Sequence, residues 1–403
     1  MELSRRTLLG AAAAMPLATK PMLPSVLPDK ASYDFHGIFL NAAYAHPLNR
    51  LVRRAGNDFL LSRADRDVTR AWPRDNPRNE AVRKFAGLIG ADPTDIAVVP
   101  STMEGENHIV AALGLGKNAG VVTDAYHYDA SLALYGELGK QGVPVTCLAP
   151  KNNRIPLEDV ERAITPRTKL VAVSHVGSDT GYQHDLKALS DIAHKKGAFV
   201  YADIIQSAGA IPLDVKESGV DFCCAGAYKW LMADFGTAFL YVRPDRLKEL
   251  KRTAVGWRQM TSGQSHVYPF DPPGPAIGSW TLADTTAGKF EVSTPAWSSL
   301  AMLITSIDYV TKLGVERIAA HRKPLIARLR EELPKRGFVP MTPQETQGPI
   351  VTFAYRDAQK KLEPVLKAAN IKVTLGANRM RISPSVYNDM GDIERLLRAL
   401  PKA

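Results

Sequence analysis

Between residues 96 and 242 the chain repeats one unit, a short and almost wholly apolar run followed by a longer amphipathic segment. Runs at 96–100, 120–123, 143–148, 170–174 and 198–202 read as strands. Helices are expected from Thr102 onward and over 130–140, 157–164 and 186–195. Strands without a polar face, separated by helices, make a mostly parallel sheet covered on both sides. A sixth run, Phe222-Cys223-Cys224-Ala225, gives way to Gly226-Ala227-Tyr228-Lys229-Trp230-Leu231. A loop over 232–235 then leads into a second strand-like run at 236–242. A lysine between two buried strands is desolvated, so its neutral amine becomes available as a nucleophile; otherwise it snorkels to water.

Upstream, a short strand begins at Ile38, with helices expected over 49–61 and 79–89. Downstream, residues 255–294 are rich in Gly, Pro, Ser and Thr and read as loops with little regular structure. Helices follow from Ala296 and over 318–333 despite Pro324. Strands at 350–355, 371–374 and 380–382 with helices at 358–369 and 392–400 suggest a smaller α+β domain.

The formal charge of +10 is spread along the 403 residues, with no basic stretch interleaved with aromatics, so a nucleic-acid partner is not expected. Cys147, Cys223 and Cys224 offer neither a disulfide framework nor zinc spacing, so no metal is expected. All three lie in apolar runs and read as buried free thiols. The N-terminus, Ser4-Arg5-Arg6-Thr7-Leu8-Leu9-Gly10 followed by an alanine-rich run, is too short to span a bilayer. It resembles a twin-arginine signal, which implies export of folded protein to the periplasm by the twin-arginine machinery. Small residues around Ala12–Ala14 and Ala18 offer cleavage sites, and loss of residues 1–18 leaves a charge of +9. Pro21, Pro24 and Pro28 mark an extended linker.

Open parallel sheets bind ligands beyond the carboxyl ends of their strands. Four features fall there. Ser101-Thr102-Met103-Glu104 opens a helix and is either an anion cradle or an ordinary cap. Asp203 ends an apolar strand and needs a cationic or donor partner, which a protonated pyridine nitrogen would supply. Gln206, one turn on, could donate to a ring oxygen. His127 follows another strand and is either a stacking ring or a capping or core histidine. Lys229 is the amine. Together these match the parts of pyridoxal 5'-phosphate, an electron sink for a carbanion.

The ordered motifs resemble the aminotransferase class V family of fold-type I pyridoxal-phosphate enzymes, over about residues 41–400. The chain looks closest to the branch of isopenicillin-N epimerase, cysteine desulfurases and related lyases. The motifs are Phe39-Leu40-Asn41 with Pro47-Leu48, Ser101-Thr102-Met103-Glu104, Ser174-His175-Val176 with Gly181, and Ala202-Asp203 with Gln206. They continue through Tyr228-Lys229-Trp230-Leu231, Phe239-Leu240-Tyr241-Val242-Arg243, and Arg381-Ile382-Ser383-Pro384 with Tyr387-Asn388. The resemblance implies an α/β fold with a leader and linker (1–30), a large cofactor domain (31–295, its N-terminal part joining the small domain) and a small domain (296–403).

It makes Lys229 the Schiff-base lysine and Asp203 the partner of the pyridine nitrogen, with Gln206 on the ring hydroxyl and His127 stacked on the ring. Thr102 and the Met103 amide would hold the phosphate, joined by Thr294 across a homodimer interface. Asn41 and Arg381 would bind the carboxylate of a small amino-acid or amine substrate. The family's frequent Ser-x-His-Lys reads Gly226-Ala227-Tyr228-Lys229 here. Met103 replaces a common threonine, Ser178 a common asparagine, and Ala233-Asp234 a common Gly-Pro. A desulfurase would need a nucleophilic cysteine shortly before Arg381, and none lies between Ile371 and Arg381, which argues against a persulfide route. Transamination, epimerisation and elimination stay open, as does a non-catalytic binding protein on the same fold. A dinucleotide oxidoreductase lacks its Gly-x-Gly-x-x-Gly turn. Signal and family together resemble periplasmic class V enzymes that tailor siderophores such as pyoverdine.

Overall fold

The computed structural model describes residues 26–64, 77–265, 270 and 278–401. The signal-like segment therefore lies outside the described residues. The first strand, β1 (Ile38–Phe39), precedes helices α1 (Arg50–Ala64) and α2 (Pro77–Leu88). The alternation then runs β2 (Ile96–Val99), α3 (Thr102–Leu113), β3 (Gly120–Asp124), α4 (Asp129–Lys140), β4 (Val145–Leu148), α5 (Leu157–Ala163) and β5 (Thr168–Ser174). It continues with α6 (Leu186–Lys195), β6 (Phe199–Asp203), α7 (Val215–Ser218), β7 (Phe222–Gly226) and β8 (Ala238–Val242). These seven strands, β2 to β8, form one sheet in the order β2-β8-β7-β6-β5-β3-β4. Only β8 runs against its neighbours.

Both faces are covered, as continuous apolar strands require. On one side Val52, Phe85, Leu189 and Leu303 from α1, α2, α6 and α9 (Trp297–Leu313) close the core, with Phe85 stacked on Phe239 at 4.4 Å. On the other side Ile109 and Leu113 of α3 and Tyr135 of α4 pack on Val99, Tyr201 and Leu240. The edge strand β4 is covered less, and this corrects one expectation. Cys147 on β4 is exposed, whereas Cys223 and Cys224, in the interior strand β7, are buried. An apolar run at a sheet edge does not guarantee burial.

The segment read as loops carries a two-stranded antiparallel hairpin, β9 (Met260–Ser265) with β10 (Gly278–Leu282), and the short helix α8 (Thr286–Phe290). Its strands face solvent on most positions, so no apolar period marks them in the sequence. Gly263 gives the Trp280 indole room, because a Cβ there would lie 2.5 Å from the ring.

Beyond α9 come α10 (Val315–Glu332), β11 (Val339–Pro340), β12 (Val351–Ala354) and α11 (Ala358–Ala368). The chain ends through β13 (Ile371–Lys372), β14 (Thr374–Gly376), β15 (Arg379–Ile382) and α12 (Met390–Ala399). Pro324 sits inside α10 without ending it. The single strand expected over 371–374 is two, because the chain changes partner at Val373: β13 pairs with β1, and β14 with β15. The four strands β11-β12-β15-β14 and their helices enclose a second core that takes in Ile38 and Leu40 from the N-terminal segment. Among the described residues no helix is long and apolar enough to cross a membrane, and no cluster of His, Cys, Asp and Glu could hold a metal.

Candidate active site

Five parallel strands deliver the site at their carboxyl ends. Thr102 follows β2, His127 follows β3, Ser174 ends β5, Asp203 ends β6 and Lys229 follows β7. Thr102, Met103, Ser174, Asp203, Gln206 and Lys229 line one cavity of about 110 Å³. Of the site residues expected from the sequence, Thr102, Met103, Asp203, Gln206 and Lys229 are in this lining, while Asn41, His127, Thr294 and Arg381 are not. The sequence reading missed the aromatic part, Tyr128 and Tyr228, the latter stacked on Phe235 at 4.6 Å.

The turn after β7 is held by backbone bonds on every side. His46 N–H donates to the Tyr228 carbonyl at 2.9 Å, Met232 N–H to Lys229 at 2.9 Å and Ala233 N–H to Ala227 at 3.0 Å. The Lys229 side chain is only 8% exposed, yet among the described residues its ammonium makes no hydrogen bond or ion pair. Its Nζ lies 5.7 Å from the centre of the Tyr228 ring. Burial pulls its pKa down to about 8, with Asp203 working against the shift and Arg381 adding to it. A lysine in this state is poised to act as a base near neutral pH.

Asp203 is 5% exposed. One carboxylate oxygen, Oδ1, accepts from the Ile205 N–H at 2.9 Å; no described residue hydrogen-bonds Oδ2. Burial pushes this carboxyl up to about 6, in spite of the Ile205 amide, His127 and Lys229. Gln206 is tied at both ends, donating to the Ala43 carbonyl at 3.0 Å and accepting from Trp230 Nε1 at 2.9 Å. Trp230 therefore fixes the plane of the Gln206 amide, a link no sequence pattern announces.

Ser101 caps α3 by accepting the Glu104 N–H at 3.1 Å. That leaves the first-turn amides of Thr102 and Met103 without helical partners. The Thr102 hydroxyl is buried and unbonded. Gly226 keeps this corner open, since a Cβ there would stand 3.1 Å from Thr102 Oγ1 and 2.9 Å from Ile205 Cδ1. An orphaned hydroxyl, two free amides and a helix N-terminus suit a phosphate; a carboxylate oxygen with no partner suits a protonated ring nitrogen. The residues fit pyridoxal phosphate.

His127 is buried, with Nδ1 2.9 Å from Ser174 Oγ and Nε2 3.0 Å from Glu106 Oε1. Arg381 on β15 faces Thr374 of β14 across the strand pair and donates to its hydroxyl at 2.9 Å. It also reaches the Ser178 carbonyl at 2.7 Å and Asn41 Oδ1 at 3.5 Å, while its buried Nε has no partner. Asn41 accepts from Thr374 as well, so it aims the arginine from outside the cavity lining. Thr294 is exposed and outside that lining. None of the three cysteines lines it either.

The aminotransferase class-V family model matches residues 74–396. The chain is 28% identical over 349 residues to an uncharacterized aminotransferase, YcbU, of Bacillus subtilis, covering 86% of this chain and 88% of that protein. It is 26% identical over 347 residues to a probable cysteine desulfurase of Halalkalibacterium halodurans, covering 80% of each. The fold matches the cysteine desulfurase CsdA of Escherichia coli with a TM-score of 0.79 at 21% identity, over 92% of this chain and 96% of that one. It also matches a mutant of C-DES carrying glycine covalently linked to its PLP cofactor, with a TM-score of 0.78 at 18% identity, over 92% and 98%. The chain belongs to the aminotransferase class-V family of fold-type I pyridoxal-phosphate enzymes.

Proposed function

We propose that the protein is an exported enzyme of the epimerase–desulfurase side of this family, acting at the Cα of a small amino acid or amine outside the cytoplasm. The observation that carries the reading is the unpaired Lys229 amine, shared in one cavity with the unbonded Thr102 hydroxyl and the half-free Asp203 carboxylate. When bound, pyridoxal phosphate supplies an electron sink that acidifies the Cα–H of an attached amino compound. In this reading Thr102 and the Met103 amide bind the phosphate, and Asp203 keeps the proton on the ring nitrogen. Gln206 orients the ring hydroxyl and His127 lies against the ring. Lys229 takes up the Cα proton and returns it, which is the step common to transamination, epimerisation and elimination. Arg381, aimed by Asn41 and Thr374, holds the substrate carboxylate.

A desulfurase-type persulfide on the protein is the less favoured chemistry. Burial raises the thiols of Cys223 and Cys224, and Cys147 sits on the edge strand away from the cavity. We also infer a homodimer in which Thr294, exposed on the single chain, meets the phosphate held by a second copy. Tailoring of a secreted metabolite suits the signal-like N-terminus.

The purified protein with added pyridoxal phosphate is expected to show a visible absorption band, and borohydride to fix the cofactor on Lys229. Lys229→Ala should lose both. A colourless wild-type protein that ignores the cofactor sinks the reading in favour of a plain binding fold. For export, Arg5→Lys combined with Arg6→Lys should leave the precursor in the cytoplasm; unchanged export rejects that part.

A further inference from the structure

Three side chains meet at the corner of the cavity that Gly226 keeps open. A Cβ at Gly226 would lie 2.9 Å from Ile205 Cδ1, 3.1 Å from Thr102 Oγ1 and 3.4 Å from Tyr228 Cε1. Cε1 is the ring carbon beside the one that bears the hydroxyl, so it is the outer half of the Tyr228 ring that borders the Thr102 hydroxyl. Both residues line the cavity. The Thr102 hydroxyl is buried and unbonded, and the Met103 amide belongs to the same first turn of α3. Among the described residues the Tyr228 hydroxyl has no hydrogen-bond partner either. The residue is held from two sides: Phe235 stacks on its ring at 4.6 Å, and the His46 N–H donates to its carbonyl at 2.9 Å. Burial first, then the charges of Tyr128, Asp203 and Tyr44, raise the phenol above its ordinary range, so at neutral pH it remains a donor.

We propose that Tyr228 is a phosphate-binding residue, its hydroxyl donating to the cofactor phosphate beside the Thr102 hydroxyl and the Met103 amide. This rests on the proposed placement of that phosphate at the N-terminus of α3. The tyrosine supplies a donor that the two preceding side positions, Gly226 and Ala227, cannot. Gly226 has its own part, because a side chain there would fill the corner that the ring edge and Thr102 share. A hydrogen bond to a charged acceptor contributes about tenfold or more in affinity. The rival arrangement has Tyr228 as an apolar wall toward the substrate or the cofactor ring, with its hydroxyl turned to water.

Calorimetric binding of pyridoxine 5'-phosphate and of pyridoxine to the cofactor-free protein separates the two. Neither compound has an aldehyde, so bonding to Lys229 is not read, and the pair differs only in the phosphate. Tyr228→Phe keeps the ring and its stack on Phe235 and removes the hydroxyl alone. It is expected to weaken the phosphate ester about tenfold and pyridoxine less than about twofold. Thr102→Val should show the same selective loss. Equal losses on both compounds, or no loss on either, in Tyr228→Phe overturn the proposal and leave the ring as a wall. A selective loss in Thr102→Val without one in Tyr228→Phe rejects the tyrosine and leaves the proposed function standing. Wild-type protein that binds the ester no tighter than pyridoxine rejects the phosphate placement itself, and the proposed function with it.

Discussion

Cofactor-free Lys229→Met protein is expected to be more stable than cofactor-free wild type at pH 7, by up to about 3 kcal/mol; with pyridoxal phosphate added, the variant is expected to lose at least about 10³-fold in Cα–H exchange relative to wild type. The stability gain follows from the depressed lysine. Its folded pKa of about 8 lies below the ordinary 10.5, so below pH 8 both states carry the ammonium and the folded state bears the full burial cost. As pH rises from 8 to 10.5 the folded protein releases its proton first, and the penalty fades. The advantage of the methionine variant should therefore shrink over that window and vanish above it. Asp203 adds a penalty of the opposite slope. Its folded pKa of about 6 exceeds the ordinary 3.8, so its cost is absent below about 4 and complete above 6. Cofactor-free wild type is thus least favoured between pH 6 and 8, where both buried groups are charged.

Urea unfolding of the two proteins from pH 6 to 10.5, with NMR exchange into D2O over a panel of L- and D-amino acids, tests both halves. Parallel pH profiles for wild type and variant would show that the lysine is not depressed. The same arithmetic gives the site its affinity for a ligand that partners Asp203 and takes up the Lys229 amine, because such a ligand relieves both penalties together. The unpaired lysine and half-free carboxylate are a local instability that serves function.

How much of this was legible without coordinates depended on where burial is uniform. In the parallel sheet every strand interior is apolar, so each run ends where a polar residue can face the cavity. That is why Asp203, Lys229 and Thr102 stood out; His127 stood out in the same way but lies behind the lining, bonded to Glu106 and Ser174. Cys147 misled because the same apolar pattern on edge strand β4 is exposed. The β9–β10 hairpin was missed because both its faces are largely wet and its residues small or polar. Glu106 could have been found. It shares the helical spacing of Thr102, Ile109, Val110 and Leu113, the buried face of α3, while Glu104 falls on the exposed side. A carboxylate on an otherwise apolar helix face calls for a buried donor, and His127 was an available candidate. The ties that aim Arg381 were beyond reach, because Asn41, Ser178 and Thr374 meet it only through pairing of distant segments.

Those ties make Arg381→Lys the sharpest test of substrate class. The guanidinium is buried, its pKa drawn down to about 10 by burial, with Asp179 opposing and Arg379 adding. Two of its nitrogens already bond Ser178, Asn41 and Thr374, so the fork is fixed before any ligand arrives. A lysine has the charge but a single nitrogen and a different reach, so it cannot satisfy Ser178 and Thr374 and still present two parallel donors. For an amino-acid substrate, kcat/KM is expected to fall about 10²- to 10³-fold, the usual cost of breaking one side of a buried charge-assisted pair. The fall should lie mainly in KM, because the carboxylate contact is made in ground and transition states alike. For the corresponding amine, which has no carboxylate, the same substitution should cost less than about threefold, as no charged contact is lost. Equal losses on both compounds would mean that Arg381 supports the fold of the small sheet and does not read the substrate. A loss confined to the amino acid assigns the carboxylate to Arg381 and makes α-amino acids, not simple amines, the compounds this cavity selects.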